Sequence, residues 1–594
     1  MATNAPSVGG MRLLGFNAGR IRTQLIDGER VRTAYVKEPM PEPWVITPTG
    51  ARGDEVAAHS DHLYAFDRAS YDHWAEELGV PRETWTDGWF AENLTLDTLD
   101  QSGLRVGDTF RVGTAVLVVT GPRVPCWKLT WRLGQPKTFM RRFRLSGRSG
   151  AYFGVLEPGV VRPGDRFTPI GRDDGAPTVA ALSRLCDSST RITAEERGLI
   201  DRALASEHLS PTARGALTLK VANLERDASA AGGGWPGWRR FEIDDVVAET
   251  AEATSYLLRP ADGGELPGFR AGQHVVVRLT EPGGEPVVRT WSLSSYERDP
   301  GRYRITVSRR PGGRGGAALA RAPAGNLSVE LRAPAGEFRL DRGTFRPVVL
   351  VAAGIGITPM IAMIQAHLDR DGHVPPLWLL YGAPDRDRTA FRGYLDDLFA
   401  RHDDLHLHYF HSRTGSAAGP PAGGATVHHS RITAERVVGV LRGNYLRTAD
   451  GRAGIPWFES DVYVCGSAEF TASVRGGLIE AGANPDLVRA EDFAAAAAPG
   501  LPTRRTDATV RFGSRDLEVT WVAERERSLL ELAEDHGLEL PYDCRAGSCR
   551  TCESRLLCGD VDGPVTMTPG GERRVLLCTS YPRSDRVEVE PPPP

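Results

Sequence analysis

Apolar residues recur along this chain in three rhythms, and the rhythm changes from block to block. From about 11 to 172 the runs are short, β-like and cut by Gly and Pro turns, as at Thr114–Val119 (TAVLVV). One segment there, Arg68–Leu78 (RASYDHWAEEL), has apolar positions at helical spacing and predicts an amphipathic helix. Three more helical stretches follow within 175–226: TVAALSRLC, AEERGLIDRALAS and PTARGALTLKVANLE. Ala228–Gly237 (ASAAGGGWPG) reads as a linker. Strict alternation takes over in 238–342, at His274–Leu279 (HVVVRL) and Tyr303–Val307 (YRITV), and predicts a β-barrel. Within 345–493 the apolar strands Pro347–Ala353, Leu377–Tyr381 and Asp461–Cys465 alternate with helical segments, the rhythm of a parallel α/β sheet. Ala494–Thr506 is a second linker, and 507–590 is a small fourth block ahead of a four-proline tail. No internal repeat is visible.

Composition narrows the classes. A length of 594 residues is enough for about four domains. With 41% hydrophobic and 25% charged residues the chain has the balance of a soluble globular protein. A net charge of −4 gives no electrostatic case for nucleic acid or an anionic membrane surface. No apolar run nears the ~20 residues of a bilayer span, and the N-terminus lacks a long apolar signal core. A cytoplasmic location is therefore expected. Five of the eight cysteines fall between 544 and 578, which points to metal ligation in a reducing compartment.

The cysteine cluster carries the sharpest signal. Cys544, Cys549 and Cys552 have the spacing C-x4-C-x2-C, and Cys578 follows in VLLCTSYP. Four such thiolates can hold a [2Fe–2S] cluster, and the block resembles plant-type ferredoxins. A zinc site is the alternative, but C-x4-C is an unusual zinc spacing. Cys558 is an extra thiol, read as structural because Cys578 fits the fourth position better.

In the third block, strand PVVLVAA runs into GIGITPM, which places Gly354, Gly356, Thr358 and Pro359 at a strand-to-helix turn. Glycines there let backbone approach a pyrophosphate at a helix N-terminus. Cys465 and Gly466 in YVCGSAEF resemble the nicotinamide-side loop of ferredoxin–NADP reductase relatives. In the second block, Arg289-Thr290-Trp291-Ser292 resembles the R-x-Y-S flavin signature of that superfamily, with Trp in place of Tyr. By that resemblance Arg289 holds flavin phosphate, Trp291 stacks on the flavin and Ser292 reaches N5. The stretch 311–320 (PGGRGGAALA), with Gly315 and Gly316, looks like the flavin phosphate-binding loop and helix. The order flavin, NAD, ferredoxin resembles the phthalate dioxygenase reductase family. That order favours FMN, while most of the superfamily uses FAD, and the choice stays open. NADH and NADPH also stay open; Arg386 and Arg388 follow strand LWLLYGA and are either 2′-phosphate ligands or solvated loop charges.

The first block contains RTAYVKEP (32–39), GARGDEVAAH (50–59), YAFDRASYDHW (64–74), GWFAENLTL (88–96) and VTGPRVPCWKL (119–129). Together these resemble the MOSC family, the molybdenum-cofactor sulfurase C-terminal domains, in the bacterial form with a three-helix appendage. Cys126 has Lys128 beside it and Arg123 near, and basic neighbours favour the thiolate that binds a soft metal. By resemblance Cys126 ligates molybdenum, and Lys37, Asn93, Thr95 and Arg123 are candidates to hold its pterin phosphate. One departure stands out. Family members have H-G-G-P-D-K before the YAYD-type helix, whereas this chain has His59-Ser60-Asp61-His62, with the glycine pair missing.

The expected fold class is multidomain: a mostly-β MOSC barrel (11–172) with a helical appendage (175–226), a flavin-binding β-barrel (238–342), an α/β parallel-sheet NAD(P) domain (345–493) and an α+β β-grasp ferredoxin (507–590). The expected activity is a self-contained reductase, NAD(P)H to flavin to [2Fe–2S] to molybdenum cofactor, acting on N-hydroxylated or related N- or S-oxygenated small molecules. No obligatory electron-transfer partner, nucleic acid or membrane is expected. Two alternatives remain. The chain could reduce a separate oxygenase with the MOSC block as a docking module, or the MOSC block could transfer sulfur through Cys126.

Overall fold

The computed structural model describes residues 10–591 apart from 27–28, 56–62, 188–191, 219, 222–233, 236, 281–285, 310–313, 322–326, 371–373, 414–423, 449–450, 493–501, 505, 539, 543–546, 548–551 and 569. The His59–His62 loop, most of both linkers, the start of the 311–320 stretch, the final prolines, Cys544 and Cys549 lie outside the described residues. The chain divides into two units, residues 1–224 with 482–486, and residues 225–481 with 487–594.

The first unit is β-rich. Eight strands form one sheet in the order Thr168–Gly171, Thr109–Val112, Ala115–Pro122, Ala151–Glu157, Leu63–Asp67, Leu94–Leu96, Leu13–Gly19 and Lys37–Pro39. Backbone bonds from Gly164 N to Leu13 O (2.7 Å) and Phe167 N to Met11 O (3.0 Å) curl the sheet back on itself as a barrel. Period-two alternation sorts each strand's side chains between two layers. In LYAFD, Leu63 and Ala65 enter the barrel core with Leu117, Val119 and Phe153. Tyr64 and Phe66 face an aromatic layer with Tyr71, Trp74, Phe90 and Phe143. The helix Arg68–Leu78 forms as its periodicity predicts, burying Tyr71 and Trp74 in that layer and ending at Gly79 (φ 64°).

Two seven-residue helices, Trp127–Leu133 and Phe139–Leu145, add to the sequence expectation. Helices this short are unstable alone, so packing of Leu129, Leu133, Phe139 and Phe143 into the aromatic layer sustains them. The appendage consists of Val179–Leu185, Ala194–Ala205 and residues 211–218, sharing a small core of Leu182, Leu185, Ile200, Ala203, Ala213 and Leu217. Thr193 and Glu196 form a reciprocal capping box at the second of these helices.

The second unit begins with a six-stranded antiparallel barrel, ordered Val287–Ser292, His274–Thr280, Ser328–Leu331, Arg239–Ala248, Ala253–Pro260 and Tyr303–Ser308. A six-stranded parallel sheet follows, ordered Thr426–His428, Leu405–His411, Leu377–Ala383, Val348–Ala353, Asp461–Gly466 and Val488–Asp492. Its central strands read as continuous apolar runs because helices such as Ile357–Leu368 cover them. The last block is a mixed sheet in which Ala508–Phe512 pairs parallel with Arg586–Glu590, with one helix at Leu529–Asp535. It docks on the flavin barrel. Arg332 donates to Tyr581 Oη (2.8 Å), lies 3.3 Å from Glu531 and stacks 4.8 Å over Trp238. Arg278 pairs with Glu330 of its own sheet and with Glu526. Among the described residues no helix is long and apolar enough to cross a membrane.

Candidate functional site

Cys126 sits in extended conformation immediately before helix Trp127–Leu133, half-buried against the aromatic layer. The preceding turn is fixed by Arg123 N donating to Gly150 O (3.3 Å). The Arg123 guanidinium is 5% exposed and is boxed by tyrosines, 4.4 Å from the Tyr64 ring centre, 5.7 Å from Tyr35 and 5.9 Å from Tyr152. No carboxylate pairs with it among the described residues. The Tyr35 hydroxyl is buried there without a hydrogen-bond partner, and burial pushes its pKa up. Lys128, the other basic neighbour, leans over the Trp127 ring at 5.9 Å.

The remaining candidates belong to a network the motifs alone do not reveal. Lys37 Nζ is 2.6 Å from Asp54 Oδ2, and Asn93 Nδ2 donates to the same oxygen at 2.9 Å. Asp54 thus engages both groups and fixes their positions relative to each other. Thr95 Oγ1 donates to Glu92 Oε1 (2.9 Å), which also accepts from Tyr71 Oη (2.7 Å) and Gly88 N (2.7 Å). Glu92 is fully buried, its Oε2 has no partner among the described residues, and desolvation raises its pKa to about 7 against those three donors.

These residues fit a molybdenum–pterin group: Cys126 offers a soft sulfur donor, and Arg123 with the Tyr35 hydroxyl offers donors that no carboxylate engages among the described residues. Asp54, Glu92, Tyr35 and Tyr64 all lie inside the segments that prompted the MOSC resemblance. The available signal was the segments themselves rather than any residue spacing.

In the second unit the flavin motif lies on strand Val287–Ser292, with Ser292 buried. The helix Arg314–Arg321 packs so closely that a Cβ on Gly315 would stand 2.9 Å from Arg289 Cγ and 3.3 Å from Trp291 Cζ2. Gly315 and Gly316 fall in the first turn of that helix. The turn Gly354–Gly356 opens helix Ile357–Leu368, which carries Thr358 and Pro359 in its first turn. A Cβ on Gly356 would meet the Cys465 carbonyl oxygen at 2.3 Å, so only glycine permits this approach to Cys465–Gly466.

Two further residues join the halves. His274 pairs across from Ser292, and its Nδ1 is 4.0 Å from Glu491 Oε1, the register neighbour of Cys465. The Cys465 thiol is fully buried, and burial with the nearby Glu491 and Asp492 carboxylates raises its pKa. The barrel strand and the nicotinamide-side strand thus meet at one place. Arg388 pairs with both Asp385 and Glu252, which leaves its charge already matched.

Cys552 and Cys578 are 2% and 1% exposed in one apolar cluster, and Leu577 N donates to Cys552 O (3.3 Å). Gly547, between positions 544 and 549, has φ 79° and packs against Thr579, where a Cβ would be 3.2 Å from Oγ1. Gly547 thus approaches the residue that follows Cys578. Cys558 is exposed at the end of strand Glu553–Cys558.

Four family models match in chain order: MOSC domain over 53–168, oxidoreductase FAD-binding domain over 253–340, oxidoreductase NAD-binding domain over 350–476 and 2Fe-2S iron-sulfur cluster binding domain over 514–583. The chain is 32% identical to the flavohemoprotein of Burkholderia sp. (strain TH2) over 281 residues, 46% of this chain and 64% of that protein. It is 33% identical to the flavohemoprotein of Pseudomonas aeruginosa over 272 residues, 46% of this chain and 63% of that protein. It thus spans less than two thirds of the length of these curated relatives. Among solved structures it is similar to phthalate dioxygenase reductase (25% identity, 60% of this chain and 98% of that one, TM-score 0.35). It is also similar to YiiM from Geobacillus stearothermophilus (25% identity, 36% of this chain and 99% of that one, TM-score 0.29). The chain carries a MOSC domain followed by the flavin, NAD and [2Fe–2S] domains of an electron-transfer oxidoreductase.

Proposed function

For a chain that joins a MOSC domain to a flavin, NAD and [2Fe–2S] reductase, we propose a self-contained NAD(P)H-dependent molybdenum oxidoreductase that reduces N-hydroxylated small molecules. The observation that carries this reading is Cys126 beside the unpaired, tyrosine-boxed Arg123, in the same chain as a full set of reductase domains. The overall reaction takes NAD(P)H, a proton and R–NH–OH to NAD(P)+, R–NH2 and water.

When bound, the flavin supplies the change from two-electron to one-electron transfer, the iron–sulfur cluster carries single electrons, and the molybdenum cofactor supplies oxygen-atom removal. The chain's own residues bind and orient. Cys126 holds the metal through sulfur, while Arg123 and the Tyr35 hydroxyl hold the pterin phosphate. Asp54 fixes Lys37 and Asn93 as the wall of the site. Arg289, Trp291 and Ser292 would hold the flavin, with Arg289 binding its phosphate, Trp291 its ring and Ser292 hydrogen-bonding the ring. The Gly354–Thr358 turn gives backbone to the dinucleotide, and Cys465 with Gly466 lines its nicotinamide end. Cys544, Cys549, Cys552 and Cys578 hold the cluster. The aromatic layer around Phe66, Phe90 and Phe143 keeps water from one side of the Cys126 centre.

Fusion removes the need for a separate electron-transfer partner, because tethered domains meet at roughly millimolar effective concentration. The test is metal content and turnover of chain made in a host that synthesises molybdenum cofactor. Two irons and about one molybdenum per chain, with NAD(P)H-driven reduction of benzamidoxime, would support the reading. Two irons without molybdenum, in a host that loads other molybdoenzymes, would sink it and favour sulfur transfer or service to a separate oxygenase.

A further inference from the structure

A second cation near Cys126 lacks a counter-charge. Arg132 lies in helix Trp127–Leu133, six residues after Cys126, which at helical rise is about 9 Å along the axis. Its guanidinium carbon stands 3.5 Å from the Trp89 ring centre, over the indole. No carboxylate pairs with it among the described residues, and its buried Nε has no hydrogen-bond partner. The Trp89 indole Nε1 is likewise buried without an acceptor. Trp89 itself is held in place, since its backbone N–H donates to Tyr71 Oη (2.9 Å), which donates in turn to Glu92. Trp89 and Cys126 pack against the same aromatic layer.

Such a site is costly when empty. Burial pushes the Arg132 pKa down, with only the Tyr35 and Tyr71 rings working the other way, so the environment disfavours its charge. A planar guanidinium with free donor edges matches a carboxylate through two parallel hydrogen bonds. The Trp89 N–H adds a third donor.

We infer that Arg132 and Trp89 form a carboxylate-binding shelf beside Cys126, which selects planar, anionic N-hydroxylated substrates. The inference rests on the reductase reading for the N-hydroxyl end of the molecule, but not for the carboxylate end.

The test uses the full chain and two probes, 4-carboxybenzamidoxime and neutral benzamidoxime, with binding measured by calorimetry in the absence of NAD(P)H. The carboxylate probe is expected to bind at least ~10-fold more tightly. Arg132→Ala should abolish that preference, while Arg132→Lys, which keeps the charge without the planar fork, and Trp89→Phe should each keep part of it. Equal binding of the two probes, or a preference untouched by all three substitutions, overturns the shelf. Benzamidoxime turnover without any carboxylate preference overturns the shelf and leaves the reductase reading standing. Carboxylate preference without turnover of either probe supports the shelf and overturns the reductase reading.

Discussion

Glu92 offers a test of the site that needs no cofactor. Its carboxyl is wholly buried, and its proton is held to about pH 7 against an ordinary value of 4.5. A carboxyl with a raised pKa stabilises the fold only while protonated, so its contribution is complete below pH 4.5 and lost as pH rises through 7. The gap between the two values is worth about 3 kcal/mol. Glu92→Gln mimics the protonated state: Gln keeps a carbonyl oxygen for Tyr71, Thr95 and Gly88. Its amide replaces the unpaired Oε2, as the bound proton does. The variant should match the parent at pH 5 and exceed it by about 3 kcal/mol at pH 8. In native-state hydrogen exchange this would appear as roughly 100-fold greater protection of the amides of Leu94–Leu96 at pH 8, after correction for intrinsic exchange rates. An infrared carboxyl band absent from the variant should titrate near pH 7 in the parent. Parallel stability profiles for the two proteins between pH 5 and 8, or a band already ionised at pH 5, would refute the reasoning.

Other expectations follow from the same geometry. Cys126→Ala should abolish N-hydroxyl reduction yet leave NAD(P)H-driven ferricyanide reduction intact; loss of both would mean the first unit is needed by the reductase itself. Cys549→Ala should keep ferricyanide reduction from the flavin and stop N-hydroxyl reduction, and full turnover in that variant would break the proposed route. Gly356→Ala puts a methyl 2.3 Å from the Cys465 carbonyl oxygen, so KM for NAD(P)H should rise at least ~10-fold in steady-state assays. Arg332→Ala leaves Glu531 without its guanidinium and Tyr581 without its donor. It should cost about 3 kcal/mol, read as a lower thermal midpoint for the iron–sulfur chromophore.

The sequence was most legible where one local rule decides the outcome. Period-two alternation marked His274–Leu279 and Tyr303–Val307, each one residue short of the strand that forms, and helical periodicity marked Arg68–Leu78. The C-x4-C-x2-C spacing singled out Cys552, the VLLCTSYP context singled out Cys578, and the fold brings the two segments together through Leu577 N and Cys552 O. Legibility failed where distant segments decide. Asp54 meets Lys37 17 positions away and Asn93 39 positions away, and Arg132 lies over Trp89, which is distant from it in sequence. The helices Trp127–Leu133 and Phe139–Leu145 are too short and too rich in aromatic and basic residues to announce themselves, since the layer they pack on creates them.

The contacts of Arg278 and Arg332 bear on how this molecule behaves in bulk. Both guanidiniums are largely shielded from solvent, so the two electron carriers on either side of that junction have no encounter step for ions to screen. Cytochrome c reduction by freely diffusing reductase and ferredoxin slows with dilution and with added salt. Here the flow of electrons to the cluster should be first-order in chain at every dilution and nearly indifferent to ionic strength, so that supply scales with the number of molecules rather than with how often they meet.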